Sequence, residues 1–251
     1  MYEHLKVEQH GDAAVVRIDR PPANALHLEL LEEGARIRDE LASSAPGAVV
    51  ITGSEGFFSA GVDLKLAPTL DAEGQRAMVE GINRLFAGWY AFPRPLVCAV
   101  NGHAIAGGLI LALCGDYRVG STDGKYGLTE LRAGIPYPAV AMAAVRAELT
   151  PAVARVLVLG SDLVNGQRAF ELGLFDELAV PDRVLTHGLE VAEKLAEMPA
   201  AAYELVKRQL RGETIEAMEK IVAGRDDPLA AGWIGDETAD ASADVLSRAR
   251  G

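Results

Sequence analysis

Cysteine is scarce in this chain. Its 251 residues include two, Cys98 and Cys114, both in apolar surroundings. That excludes a disulfide framework or a cysteine-rich zinc site and fits a reducing, cytoplasmic setting. Basic charge is also short: Lys and Arg total 24 against 36 Asp and Glu, a net charge of −12. Nucleic acid and anionic membrane surfaces, which need a clustered basic face, are disfavoured as partners. An anionic small molecule stays open, because local backbone amides and a few Lys or Arg can overrule the global sign. The first ten residues carry Glu3, Lys6 and Glu8 and have no apolar core, so no signal peptide is expected. The five histidines are scattered without ligand spacing, so no metal is expected. No G-x-G-x-x-G follows a strand, no G-x-x-x-x-G-K-[ST] occurs, and the G-x-S-x-G elbow of α/β-hydrolases is missing.

One stretch is rich in what the rest lacks. Pro95 to Gly115 holds no Lys, Arg, Asp or Glu and is long enough to span a bilayer. It is broken by Asn101-Gly102-His103 and Gly107-Gly108, and it opens with a β-branched run. A buried strand, a polar turn and a buried helix are expected there.

The remaining pattern alternates strands with helices. Ala13–Ile18 reads as a strand closed by Asp19-Arg20-Pro21-Pro22. Residues 26–41 place Leu26, Leu30, Leu31, Ile37 and Leu41 near helical spacing. Ala48–Thr52 and Leu96–Val100 are continuous apolar runs, the mark of strands buried on both faces. Residues 72–91 read as a helix, 109–113 as another and 116–119 as a strand. This rhythm predicts an α/β core with parallel pairing. From about residue 139 the chain turns helical and alanine-rich, with helices over 139–148, 151–159, 165–172 and 189–210. No tandem repeat is visible. Residues 222–251 are rich in Gly, Asp and Ala, and are expected either to be mobile or to dock on a neighbouring subunit. The expected organisation is a core over 1–195 and a helical section over 196–251, both parts of one functional domain.

Two loops place small residues where a buried strand gives way to a helix: Phe58-Ser59-Ala60-Gly61-Val62-Asp63-Leu64 and Asn101-Gly102-His103-Ala104-Ile105-Ala106-Gly107-Gly108. Helix N-termini carry unpaired N–H groups with partial positive charge, and glycine lets a ligand approach the backbone. On neighbouring strands the two loops can aim two N–H groups at one oxygen, the geometry of an oxyanion hole. From the residues alone, two tight strand-to-helix turns are the favoured reading.

Taken in order, Ala23-Asn24-Ala25-Leu26, the two loops, Tyr126-Gly127-Leu128-Thr129-Glu130, Gly134-Ile135-Pro136 and the segment 165–176 resemble the crotonase (enoyl-CoA hydratase/isomerase) superfamily. The likeness runs to about residue 185. It implies an α/β spiral of ββα units with a helical C-terminal section that builds a homotrimer, alone or paired into a hexamer. It also implies acyl-CoA chemistry, with the coenzyme A thioester as substrate and no further cofactor. The thioester oxygen is then expected between the N–H groups of Val62 and Gly107. Asn24, Ala25, Ala60, Gly61, Asp63, Gly108, Ile110 and Tyr137 are expected at the substrate and coenzyme A site, with Lys65 and Arg94 as phosphate contacts. Phe86, Trp89 and Tyr90 stand where the family places the acyl-chain wall, or are ordinary core.

Family hydratases use two glutamates to add water across a double bond. Here the first of those positions is Ile110, between Leu109 and Leu111, and only the second is kept, as Glu130. The single carboxylate resembles the Δ3,Δ2-enoyl-CoA isomerase branch, in which one residue takes a proton from C2 and returns it at C4. The extra aspartate of dienoyl-CoA isomerases is absent; Tyr137 and Pro138 occupy its place. In an apolar pocket Glu130 is expected to have a raised pKa; otherwise it is a surface residue paired with Arg132. Asp63 is expected as a turn or capping residue, Asp116 as a structural partner of Arg118, His103 as a hydrogen-bonded loop residue and Cys114 as core. Isomerisation is the leading expectation. Hydration through Glu130, and a non-catalytic acyl-CoA-binding protein with Ile110 as the mark of lost chemistry, are the alternatives.

Overall fold

The computed structural model describes residues 2–248. It opens with a hairpin, β1 (Leu5–His10) and β2 (Ala13–Ile18), closed at Gly11. β1 was not expected, because in Leu-Lys-Val-Glu-Gln-His only Leu5 is buried and no two-residue alternation survives. The chain continues through α1 (Leu28–Ser44), β3 (Ala48–Thr52), β4 (Phe57–Ser59), α2 (Ala72–Tyr90), β5 (Leu96–Val100), β6 (His103–Ile105) and α3 (Gly107–Leu113). Next come β7 (Tyr117–Ser121), β8 (Lys125–Gly127), α4 (Ala139–Glu148), α5 (Pro151–Gly160), β9 (Val164–Asn165), α6 (Gly166–Glu171) and β10 (Glu177–Ala179). Three helices finish it: α7 (Val184–Ala196), α8 (Ala200–Gly224) and α9 (Asp236–Arg248).

Two sheets stack in a spiral. One has six strands in the order β1-β2-β3-β5-β7-β10, parallel except for the opening hairpin; the other has four, β4-β6-β8-β9. A unit of long strand, short strand and helix recurs as β3-β4-α2, β5-β6-α3 and β7-β8-α4. Each long strand joins the first sheet and each short strand the second. The repeat is structural only, since the segments between strands differ in length, so it left no period in the sequence.

Burial on both faces explains the unbroken apolar runs. Val50, Val97, Ala99 and Val119 point to one side, where α7 covers them with Val184 and Ala192. Val49, Ile51, Leu96, Cys98 and Val100 point to the other and join the larger core beneath α1, α2 and α3. The stretch 95–115 is β5, a turn, β6 and α3, and among the described residues no helix is long and apolar enough to cross a membrane.

Three expectations need correction. The helix expected over 189–210 is two helices, α7 and α8, because Pro199 cannot continue the first and caps the second. Asp116 does not pair with Arg118. It accepts from Lys207 Nζ (2.8 Å), Arg211 Nη1 (3.1 Å), Tyr203 Oη (3.1 Å) and the Leu96 N–H (2.9 Å), fastening α8 to the start of β5. Arg118 instead faces Glu148 and Asp176, and Arg211 also reaches Glu148 while lying 4.4 Å over the Tyr90 ring. The described part of the tail folds back on its own chain. Asp227 accepts from Asn83 Nδ2 (2.8 Å) and the Ala139 N–H (2.7 Å), tying the tail to α2 and α4. Beyond it α9 lies against the 3-10 turn Glu130–Ala133, with Thr238 Oγ1 donating to the Gly134 carbonyl at 2.9 Å.

Candidate active site

The first loop leaves β4 and is shaped from below. Asn24, at φ +52°, donates through Nδ2 to the carbonyls of Ser54 (3.3 Å) and Phe57 (2.8 Å), while its Oδ1 accepts from the Arg20 N–H. Ser59 Oγ donates to the Asn24 carbonyl (2.8 Å) and accepts from the Gly61 N–H (3.2 Å). Leu26 then runs parallel to Val62: its N–H donates to the Gly61 carbonyl and its carbonyl accepts from the Asp63 N–H. In a parallel bridge of this kind the middle residue turns its own N–H to the other side. Among the described residues the Val62 N–H has no hydrogen-bond partner, and Val62 lines a cavity of roughly 380 Å³.

The second loop meets the first there. Gly107 is the first residue of α3, so its N–H has no partner within the helix. Ala106 before it adopts φ +53° and ψ −127°, a conformation that costs an alanine about 1–3 kcal/mol and persists only where surroundings hold it. The hold is visible: the Ala106 N–H donates to the Gly127 carbonyl at 2.8 Å. Gly61, at φ +76°, approaches so closely that a β-carbon on it would lie 2.8 Å from the Gly107 nitrogen. Gly108 is excluded from bearing a side chain as well, since a β-carbon there would meet the Ser59 carbonyl oxygen at 2.1 Å. Two N–H groups on touching backbones thus border one cavity.

Glu130 enters the same cavity from the first residue of its 3-10 turn. It is 9% exposed, and Oε2 is buried without a hydrogen-bond partner. Burial pushes its pKa up to about 7, and the nearby Tyr137 hydroxyl offsets part of that rise. Arg132 is not its partner; it turns outward to Asp162 and the Ser161 carbonyl. The other acid on the cavity wall, Asp63, is engaged with Arg20 Nη2 at 2.8 Å and accepts from the Lys65 N–H. Ile110, one helical turn along α3, also lines the cavity.

Residues 8–230 match the family model described as enoyl-CoA hydratase/isomerase. The chain belongs to the enoyl-CoA hydratase/isomerase family. It is similar, at 35% identity over 220 residues and 83% of either chain, to a protein of Rhizobium meliloti (strain 1021) named probable enoyl-CoA hydratase. Among solved structures it resembles the human mitochondrial delta3-delta2-enoyl-CoA isomerase, with a TM-score of 0.89 and 25% identity over 99% of this chain and 98% of that one. A probable enoyl-CoA hydratase of Mycobacterium tuberculosis H37Rv superposes with a TM-score of 0.84 and 27% identity, over 89% and 94% of the two chains.

Within this enoyl-CoA hydratase/isomerase fold, the structure gathers Ala25, Ala60, Val62, Asp63, Lys65, Gly107, Ile110 and Glu130 around the cavity. Gly61 and Gly108 stand directly behind that wall, and Asn24 is a buried brace for the first loop. Tyr137 is beside Glu130 but outside the lining, its Oη buried without a hydrogen bond. Arg94 is elsewhere. It precedes β5, whose other end carries the second loop, so a whole strand separates it from the cavity. Phe86 lines the cavity, whereas Trp89 and Tyr90 are buried core. His103 accepts from the Lys125 N–H at 3.0 Å and packs against Phe57. Sequence reasoning missed Arg20, Ile82, Ile135, Ala141, Trp233, Val245 and Leu246, which also line the cavity. Trp233 had a signal: it is one of two tryptophans and stands alone among glycines.

Proposed function

We propose that this enzyme is a Δ3,Δ2-enoyl-CoA isomerase acting on a coenzyme A thioester. The observation that carries the reading is a cavity with, among the described residues, one available carboxylate, Glu130, poised near neutrality beside two unpartnered backbone N–H groups. Ionised Glu130 removes a proton from C2 of a 3-enoyl-CoA. The electron pair moves toward the thioester oxygen, where the Val62 and Gly107 N–H groups receive the developing charge. The protonated carboxyl then delivers the same proton to C4, leaving the double bond between C2 and C3. A pKa near the working pH suits a group that must both accept and release a proton.

Hydration is the second reading, favoured by the names of the sequence relatives. It needs a further acid or base to split water. Ile110 cannot supply one, and Asp63 is already held by Arg20. The same family membership leads us to propose a homotrimer or a pair of trimers, assembled through the outer face of α8, where Leu205, Val206 and Leu210 are exposed.

The test is conjugation of a 3-enoyl-CoA followed by ultraviolet absorbance, beside hydration of a trans-2-enoyl-CoA. Wild type is expected to conjugate and to hydrate poorly, with kcat/KM rising to a plateau above an inflection near pH 7. Glu130→Gln is expected to lose conjugation by roughly 10²–10⁴-fold. Robust hydration, or conjugation surviving in Glu130→Gln, overturns the isomerase assignment.

A further inference from the structure

The cavity has two unlike ends. Arg20, Asp63 and Lys65 mark one, and among the described residues they are the only charged ones on the wall besides Glu130. The other is apolar, built from Ile82, Phe86, Ile135, Ala141 and Trp233. A β-carbon on Gly107 would lie 3.7 Å from Phe86 Cζ, so Phe86 borders the oxyanion donors. Ile82 is one turn earlier on the same face of α2. Gln75 precedes Phe86 by eleven residues (86 − 75), about 16 Å along the helix axis. The Gln75 side-chain oxygen accepts from the Ile234 N–H at 3.0 Å.

Trp233 is therefore tied, through the N–H of the next residue, to the start of α2. Its indole Nε1 donates to the Pro136 carbonyl at 2.9 Å, and the residue is 1% exposed. Two bonds, one through the following backbone N–H and one through the ring, fix it between α2 and the segment after Glu130. Trp233 is thus a fixed plug, and the largest side chain on the apolar wall.

We propose that Trp233 closes the apolar part of the acyl chamber and limits the length of acyl chain that this enzyme accepts. The proposal rests on the acyl-CoA reading of the site, but not on which bond is rearranged. An acyl chain that outgrows the cavity meets the indole.

The experiment is calorimetric binding of butyryl-, octanoyl-, dodecanoyl- and palmitoyl-CoA to the full chain, for wild type, Trp233→Ala and Trp233→Phe. Wild type is expected to bind octanoyl- or dodecanoyl-CoA more tightly than palmitoyl-CoA. Trp233→Ala is expected to shift the palmitoyl-to-octanoyl affinity ratio toward palmitoyl by about tenfold or more, the scale on which apolar pockets discriminate by length. Trp233→Phe, which keeps an aromatic ring in the wall and so preserves folding, is expected to shift it less and in the same direction. An unchanged ratio in a variant that melts like wild type overturns the proposal, as does wild type binding palmitoyl-CoA best. Failure of the isomerase reading looks different: the length dependence holds while no conjugation occurs. Absence of binding by every acyl-CoA to wild type overturns both.

Discussion

Glu130 is costly to the fold for the same reason that it suits the proposed reaction. With its pKa raised from 4.5 to about 7, the side chain resists ionisation in the folded state relative to the unfolded chain. The sign follows from the direction of the shift: its contribution is fully present below pH 4.5 and is lost as pH rises through about 7. The loss is on the order of 3 kcal/mol at alkaline pH. Glu130→Gln carries no such burden. Its melting temperature is expected to match wild type near pH 4.5 and to exceed it at pH 8, and equal melting at both would show that the carboxyl is not desolvated. Glu130 itself was legible in sequence because it follows Tyr-Gly-Leu-Thr in a recognisable order. The strained Ala106 was not, since an alanine gives no sign of a positive φ.

At the scale of elements, the site is a meeting of two turns rather than a set of side chains. Gly61 and the N-terminus of α3 touch, and the position of both N–H donors depends on that contact. Gly61→Ala is expected to force the loops apart, because its β-carbon meets backbone atoms under 3 Å away at a φ that favours glycine. Loss of one oxyanion donor costs about 10²–10³ in kcat in other enzymes. A drop of that order is expected here, in kcat more than KM, with Glu130 still titrating near pH 7; unaltered kcat would remove the first loop from the reaction. The long strands β2, β3, β5 and β7 and the helices up to residue 172 were readable because buried runs, glycines and prolines mark their limits, whereas the short strands β4, β6, β8 and β9, of two or three residues, were not. β1 escaped because it is an edge strand with one buried side chain, and the break at Pro199 escaped because apolar residues continue on both sides of it.

At the scale of the molecule, the balance of charge and apolar surface divides α8 in two. Its inner side is tied to Asp116 and Glu148 through Lys207 and Arg211, while its outer side presents Leu210 at 82% exposure. A ridge of this kind on a firmly held helix suits contact with another copy. Leu210→Glu is expected to leave the melting of a single chain within about 0.5 kcal/mol and to reduce the sedimenting mass; an unchanged mass would place the interface elsewhere. The helical character of the tail was partly legible, but its destination was not, because nothing in a run of Gly, Asp and Ala says which surface it will cover. That destination has a consequence in time. Glu130 leaves the ribosome about a hundred residues before Trp233, Val245 and Leu246, which wall the cavity around it. A nascent chain therefore carries the Glu130 carboxyl in an open cleft, and the chamber closes only once the segment bearing Trp233, Val245 and Leu246 has followed, so a complete cavity waits on that segment rather than on the two loops.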